Sequence, residues 1–167
     1  MSSEPGAKII TFYSYKGGTG RSMAVANVAW LLANCGNRVL TIDWDLEAPG
    51  LHRYFEPFLT DKTLEHTTGL IDFVLEFATA AVSRGTSETK PDGYLEYSNI
   101  LAHATPVVWE FPNHGQLHFV PAGRQDSAYP VRVNSFDWRQ FYEKRVAASG
   151  WKRSNIKWHA SRRASAT

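Results

Sequence analysis

A glycine-rich segment near the start of the chain has the residue types of a phosphate-binding turn. It precedes a long apolar segment, residues 23–35, and it reads Lys16-Gly17-Gly18-Thr19-Gly20-Arg21-Ser22. Glycines let the backbone approach an anion closely, and the N-terminus of a following helix adds roughly half a positive charge. Ser22 would stand at the start of that helix, where a hydroxyl is suited to ligating Mg²⁺. The spacing therefore predicts a site for a phosphate group and a magnesium ion.

Two carboxylates form a second candidate cluster. Asp43 and Asp45 follow the apolar segment 38–42, and Glu47 comes two residues later. At the end of a strand beside a phosphate turn, one carboxylate can hold Mg²⁺ through water while the other orients an attacking water. A structural alternative is an acidic loop that caps the next helix, and Glu47 could serve either chemical role or be solvated. The nearby glycine-rich turn favours the chemical interpretation.

Hydrophobic patterns predict the elements that must position these residues. Residues 8–13 are predicted to form a buried strand, and residues 22–35 a helix that is buried around nearly its whole circumference. Gly36 is placed to end this helix in the left-handed conformation, before a second strand over residues 38–43. About 24 residues join the two strands, which is the length of a right-handed crossover between parallel strands. Ligands bind at the carboxyl ends of such strands, where both candidate clusters fall.

The glycine-rich segment departs from the usual P-loop pattern G-x-x-x-x-G-K-[ST], because Tyr15 replaces the first glycine and Arg21 replaces the lysine. It resembles instead the deviant Walker A motif of the ParA/MinD family of ATPases, which reads K-G-G-x-G-[KR]-[ST]. The segment from Asp43 to Asp45 resembles the D-x-D that follows this family's second strand, and residues 121–123 resemble the end of its third. The resemblance implies an α/β fold with a P-loop NTPase-like (Rossmann-like) parallel sheet flanked by helices.

The same resemblance implies a role for each residue of the motif. Lys16 would reach across a nucleotide-dependent homodimer and neutralise charge on the partner's nucleotide during hydrolysis. Asp45 would orient the attacking water, and Asp43 and Ser22 would hold Mg²⁺. The residues expected to bind the phosphates of ATP are Lys16, Gly17, Gly18, Thr19, Gly20, Arg21 and Ser22. The expected cofactors are thus ATP and Mg²⁺, and a protein partner or cargo is expected for partitioning or signalling.

Patterns in the rest of the body predict a helix, a polar loop and a hairpin. Apolar residues at helical spacing favour a helix over 69–82, and the composition of residues 83–93 favours an exposed loop. Two apolar runs, 107–111 and 116–120, flank a four-residue turn and predict a β-hairpin. The aromatic cluster within residues 134–144 indicates the start of a further helix.

The resemblance covers residues 8–143 and stops short of a complete domain, because the family's Walker B strand and adenine-binding loop have no counterpart after Val120. Residues 1–143 are therefore interpreted as the N-terminal part of a ParA/MinD-like domain that is incomplete at its C-terminal end. Residues 144–167 form a basic tail, expected to be disordered, with seven of the 18 Lys and Arg residues and none of the 16 acids. Whether the tail is genuine or reflects a changed reading frame, and whether this length of chain turns over ATP, stay open.

The composition favours a folded cytoplasmic protein. Apolar residues make up 43% of the 167 residues, which is enough for a core, and the net charge is only +2. Cys35 is the single cysteine, so no intramolecular disulfide is expected, and its apolar surroundings predict a small core residue. No signal peptide pattern is visible, and the apolar segment 23–35 is too short to span a bilayer.

Three alternatives to a ParA/MinD-type ATPase stay open. The D-x-D-x-x-x-P pattern of residues 43–49 also resembles bacterial tyrosine kinases of the same superfamily, although the chain has no tyrosine-rich tail. A non-catalytic module could bind nucleic acid or a protein partner through the tail, where Trp151 and Trp158 stand among basic residues. A truncated chain could also have no function of its own. The glycine-rich and D-x-D segments together favour the ATPase.

Overall fold

A computed structural model of the protein describes residues 7–83 and 99–141. These residues form a three-stranded mixed sheet with helices packed against it. Strand β1 (Arg38–Ile42) pairs in parallel with β3 (Gln116–Val120), and the short β2 (Thr105–Pro106) pairs antiparallel with the other edge of β3. The predicted strand over 38–43 and the second strand of the predicted hairpin are confirmed. The antiparallel partner of β3 is β2, and of the predicted run 107–111 only Val107 bonds to β3, through its N–H to the Leu117 carbonyl at 2.9 Å. The sheet is small and mixed rather than parallel.

Helix α1 (Arg21–Asn34) confirms the helix predicted after the glycine-rich turn. It ends as predicted, with Gly36 at a φ of 83°, and the N–H groups of Gly36 and Asn37 donate to the carbonyls of Ala33 and Leu32. These two hydrogen bonds satisfy carbonyls that the end of a helix leaves without partners. The cap is therefore fixed by local sequence, in agreement with the prediction.

One face of α1 is buried, in contrast to the burial predicted around nearly its whole circumference. Ala26, Ala29 and Ala33 pack inward, whereas Leu31 is 62% exposed on the opposite face. Cys35, predicted as a core residue, is exposed at the C-terminal cap of the helix. The sequence pattern overestimated the burial of α1. The described sheet has three strands, and α1 packs on it through its face of small alanine side chains.

Helices cover both faces of the sheet. Because neighbouring residues of a strand point to opposite faces, Val39 packs into the core beneath α1, and Leu40 and Ile42 pack into the core beneath α3 (Leu70–Ser83). Helix α3 confirms the helix predicted over 69–82. The other helices in residues 7–83 and 99–141 are α2 (His52–Phe55), α4 (Tyr129–Ser135) and α5 (Trp138–Gln140), with 3₁₀ turns at Glu56–Phe58, Ile100–His103 and Pro112–His114.

The loop after β3 is held tightly against the start of α3. The N–H groups of Leu70 and Ile71 donate to the carbonyls of Pro121 and Ala122 at 2.8 and 2.9 Å. A Cβ on Gly69 would lie 2.2 Å from the Pro121 carbonyl oxygen, so only glycine permits this approach. The close contact fixes the loop after β3 against α3, and the Asp43 N–H, which donates to the Val120 carbonyl at 2.9 Å, joins the end of β1 to the end of β3.

The predicted strand over residues 8–13 is wrong in this structure. Residues 7–14 have no regular secondary structure, and the side chains of Ile9 and Tyr13 are 74% and 83% exposed. A strand needs a neighbour for its backbone hydrogen bonds, and none of the three described strands pairs with this segment. Apolar, β-branched composition shows that a segment can be a strand, but it does not supply the partner.

Several predictions fall outside the described residues: most of the polar loop 83–93, the part of the aromatic segment beyond residue 141, and the basic tail 144–167 with its expected nucleic-acid contacts. Within residues 134–141, the end of α4 and the short α5 agree with the expected helical start. Among the described helices, none has both the length and the apolar character needed to cross a membrane.

Candidate phosphate-binding site

The glycine-rich turn, residues 15–20, is exposed and leads directly into α1. Gly18 and Gly20 adopt φ angles of 73° and 77°, in the left-handed region that favours glycine. The backbone N–H groups of Gly17, Gly18 and Gly20 donate to no acceptor in the described part of the chain. Free N–H groups beside the N-terminus of a 14-residue helix have the character of an anion site, so the turn fits a phosphate.

Ser14 organises this turn, although sequence reasoning did not select it. Its hydroxyl donates to the Lys16 carbonyl at 3.0 Å and accepts the Lys16 N–H at 3.2 Å, and the Thr19 hydroxyl lies 3.2 Å from it. Its own carbonyl accepts a hydrogen bond from Arg21. Serine before a glycine run is typical of a side-chain turn, and this local signal could have identified it.

Lys16 and Ser22 flank the turn in the sequence. The Lys16 side chain is exposed, and its Nζ lies 6.0 Å from the centroid of the Tyr15 ring, at the outer limit of a cation–π contact. Ser22 is the second residue of α1 and is partly buried. An exposed lysine is available to a bound anion or a second molecule, and Ser22 stands at the helix start as predicted.

Arg21 joins the turn to the carboxylate loop. Its Nη2 lies 2.6 Å from Oδ2 of Asp45, and its Nη1 donates to the Ser14 carbonyl at 3.0 Å. The Arg21 and Asp45 side chains are 31% and 33% exposed, so the ion pair is neither buried nor fully solvated. Two candidate residues that are 24 positions apart in the sequence are thus brought into contact.

Asp43 holds the carboxylate loop in shape. The side chain is 5% exposed, and its two oxygens accept the backbone N–H groups of Asp45 and Leu51, each at 3.1 Å. Burial raises the pKa of Asp43 above its ordinary value, while the backbone hydrogen bonds oppose that rise. Asp45 is also anchored, because its Oδ1 accepts the N–H of Ala48 at 3.2 Å. Both carboxylates therefore have fixed positions, and Glu47 between them and α2 is exposed.

Tyr129 supports the same loop from α4. Its buried hydroxyl donates to the Leu46 carbonyl at 2.8 Å, across 83 residues of sequence. Burial, followed by the nearby Asp43 carboxylate, raises the pKa of this hydroxyl to about 12, so it remains a hydrogen-bond donor at neutral pH. No sequence signal could have identified this contact, because it depends on how the loop after β3 returns to the sheet.

The Ser22 hydroxyl and the Asp43 carboxylate are the groups predicted to bind magnesium. Mg²⁺ prefers oxygen ligands and usually keeps several waters while binding one or two protein groups and phosphate oxygens. The Ser22 hydroxyl and the Asp43 carboxylate are such groups, and no cluster of three or more His, Cys, Asp or Glu side chains able to hold a metal is found among the described residues. Both Asp43 oxygens already accept backbone N–H groups, so the partly buried Ser22 hydroxyl at the start of α1 is the group that would bind Mg²⁺ carried by a phosphate, and Asp43 would act through water.

Comparison with known proteins identifies a family that resembles the N-terminal part of the chain. A family model described as an AAA domain matches residues 7–52, which include the glycine-rich turn, α1, β1 and the Asp43–Asp45 loop. The match indicates a P-loop ATPase-like domain, a class of proteins that bind nucleotides. No curated protein and no solved structure matches the chain.

Proposed function

We propose that the chain binds Mg-ATP at the glycine-rich turn and acts as a P-loop NTPase of the ParA/MinD type. The observation that carries the proposal is the 2.6 Å contact between Arg21 and Asp45. This contact joins the glycine-rich segment to the carboxylate loop, which supports the proposal that the two segments form one site. The AAA-domain match over residues 7–52 supports the coarser part of this proposal, a nucleotide-binding NTPase.

The turn would bind the β- and γ-phosphates of ATP through its backbone. The N–H groups of Gly17, Gly18 and Gly20 have no acceptor in the described structure, and the dipole of α1 adds positive potential at the same place. The Thr19 hydroxyl and the Arg21 guanidinium would add side-chain donors. Arginine can donate two parallel hydrogen bonds to phosphate oxygens, so Arg21 is chemically suited to the place that lysine has in the usual P-loop.

The remaining candidate residues would serve the reaction. Ser22 and Asp43 would hold Mg²⁺, which supplies neutralisation of charge on the phosphate oxygens when it is bound. The Asp45 carboxylate would orient the attacking water, and its position at the end of β1 supports this role. Lys16, whose side chain is exposed, would contact the nucleotide of a second copy in a homodimer formed with ATP. Partitioning of cargo or signalling through a protein partner in the cytoplasm is the biological task that goes with this proposal.

Thermal unfolding with and without Mg-ATP tests nucleotide binding. Nucleotide at 100 times its dissociation constant should add about 2.7 kcal/mol to the free energy of unfolding. In a domain of this size, that corresponds to a rise in Tm of about 5–11 °C. Arg21→Ala should reduce the shift strongly, because it removes the fork that contacts phosphate.

Arg38→Ala is the matched control, since Arg38 is an exposed arginine at the opposite end of β1. It should keep the full shift. A protein that unfolds cooperatively with no shift in Mg-ATP, or variants that lose the shift equally, would contradict the proposal. Sedimentation of the unmodified chain with Mg-ATP then tests dimerisation, and phosphate release by Lys16→Ala tests the proposed role of Lys16 separately from binding.

A further inference from the structure

The Arg21 guanidinium is already engaged by two groups of the protein. One nitrogen pairs with Asp45 at 2.6 Å and the other donates to the Ser14 carbonyl at 3.0 Å. A charge-assisted hydrogen bond is intrinsically stronger than one between neutral groups, and partial exposure to water reduces its net contribution to stability. Arg21, which is proposed to bind phosphate, is therefore held by Asp45, the carboxylate that is proposed to orient water.

Both partners of Arg21 are themselves fixed. Asp45 accepts the Ala48 N–H through its other oxygen, and its own N–H donates to Asp43. Ser14 is tied to Lys16 and Thr19 through its hydroxyl. Because neither side of the contact is a free side chain, the pair joins the glycine-rich turn to the carboxylate loop.

We propose that the Arg21–Asp45 pair is an exchangeable latch at the nucleotide site. When the triphosphate binds, Nη2 of Arg21 transfers its hydrogen bond from Asp45 to a phosphate oxygen and leaves the Asp45 carboxylate free to orient water. The inference rests on the proposed function, because it concerns regulation of the same site. It couples two events that would otherwise be independent, the arrival of the phosphates and the release of the carboxylate.

The chemistry of the groups supports this exchange. A triphosphate offers more negative charge and more acceptor oxygens than one carboxylate, and guanidinium binds either group with the same planar fork. The pair is about one-third exposed, so breaking it has a modest cost. A latch of this strength can be opened by a ligand and still hold the turn when no ligand competes.

A double-mutant cycle on nucleotide affinity tests the latch. Isothermal titration with Mg-ATP, and separately with inorganic tripolyphosphate, is carried out on the unmodified chain, Asp45→Asn, Arg21→Ala and the double variant. Asp45→Asn keeps an oxygen that can accept the Ala48 N–H but removes the charge that holds Arg21. It should tighten binding about two- to fivefold. With Arg21→Ala already present, the same change should have no effect.

A simpler explanation makes a different prediction. If Asp45 only repels the anionic ligand, its neutralisation would tighten binding equally with and without Arg21, and that result would overturn the latch. Glu47→Gln is the control for general loss of negative charge, since Glu47 is an exposed acid of the same loop. It should change affinity less than Asp45→Asn. Parallel results with tripolyphosphate and ATP would assign the exchange to the phosphates, and an effect confined to ATP would overturn it.

A second measurement separates failure of the latch from failure of the proposed function. Chemical denaturation of the same four chains without nucleotide gives the coupling between Arg21 and Asp45 in the unliganded protein. Coupling in stability together with no binding of ATP by any chain would overturn the proposed function and the latch together, leaving a structural ion pair. Normal ATP binding with no coupling in affinity would overturn the latch alone.

Discussion

Gly17 provides a sharp test of whether the turn exists to bind a ligand. Its φ lies outside the left-handed region, and a Cβ added there would meet no heavy atom within 4 Å. The described structure therefore gives no internal reason for glycine at this position. If a phosphate approaches the backbone there, the reason is external, and Gly17→Ala should weaken nucleotide binding while leaving the fold intact.

The expected magnitudes follow from these two observations. Without strain or a clash, Gly17→Ala should change the free energy of unfolding by about 0.5 kcal/mol or less, with a small gain possible from the stiffer unfolded chain. A hydrogen bond from a backbone N–H to a charged phosphate contributes about 1.5–3 kcal/mol. Its loss should therefore weaken Mg-ATP binding about 10- to 150-fold.

Gly18→Ala is the matched comparison, because the neighbouring glycine has a φ of 73° and equally open surroundings. An alanine in the left-handed conformation costs about 1–2 kcal/mol, which corresponds to about 2–8 °C in Tm for a domain of this size. This variant should lose both stability and binding. Gly17→Ala should lose binding alone.

The assay is thermal unfolding of both variants without ligand, followed by titration with Mg-ATP. Retention of normal affinity in a normally folded Gly17→Ala protein would refute the assignment of this turn to phosphate. Equal losses of stability in the two variants would instead show that Gly17 is required by the fold, against the geometry given above.

Two further predictions concern the carboxylate loop. Tyr129→Phe should lower the free energy of unfolding by about 1–3 kcal/mol in urea denaturation, because the Leu46 carbonyl loses its buried donor at 2.8 Å; an unchanged midpoint would mean that water replaces the hydroxyl. Burial raises the pKa of Asp43 above its ordinary 3.8, so the folded protein binds this proton more tightly than the unfolded chain. That contribution to stability is fully present below pH 3.8 and is lost as the pH rises through the raised value, so the unfolding free energy of the unmodified chain should fall relative to Asp43→Asn over that interval. Parallel pH profiles for the two proteins would contradict the burial of a titrating Asp43.

Local features of the fold were predictable because their causes are local. The glycine at position 36 has no Cβ to resist a positive φ, and the apolar run before it has helical spacing, so the end of α1 could be placed from the sequence. Strand β1 and the loop from Asp43 were predictable for a similar reason, because a short apolar segment is followed directly by two acidic residues. The match over residues 7–52 covers the same segment.

Contacts between distant segments were not predictable. The hydroxyl of Tyr129 reaches a carbonyl 83 residues earlier, and its use depends on the turn after β3. The strand predicted over residues 8–13 failed for a related reason, because its composition is apolar but no described strand pairs with it. Strand pairing and hydrogen bonds between distant residues depend on the assembled sheet. They cannot be predicted from each segment of the sequence taken separately.

The same failure explains why arginine at position 21 matters beyond its charge. A paired strand before the glycine-rich turn would fix the turn through backbone hydrogen bonds, but residues 7–14 lack such pairing among the described strands. In the described residues, the first turn of α1 and the Arg21 side chain instead tie the turn to the rest of the protein. Arg21 can contact Ser14 and Asp45 together because its nitrogens form a planar fork, whereas a lysine ammonium is a point charge on a flexible stem. The residue that departs from the usual P-loop lysine is therefore the one that positions the turn against the carboxylate loop.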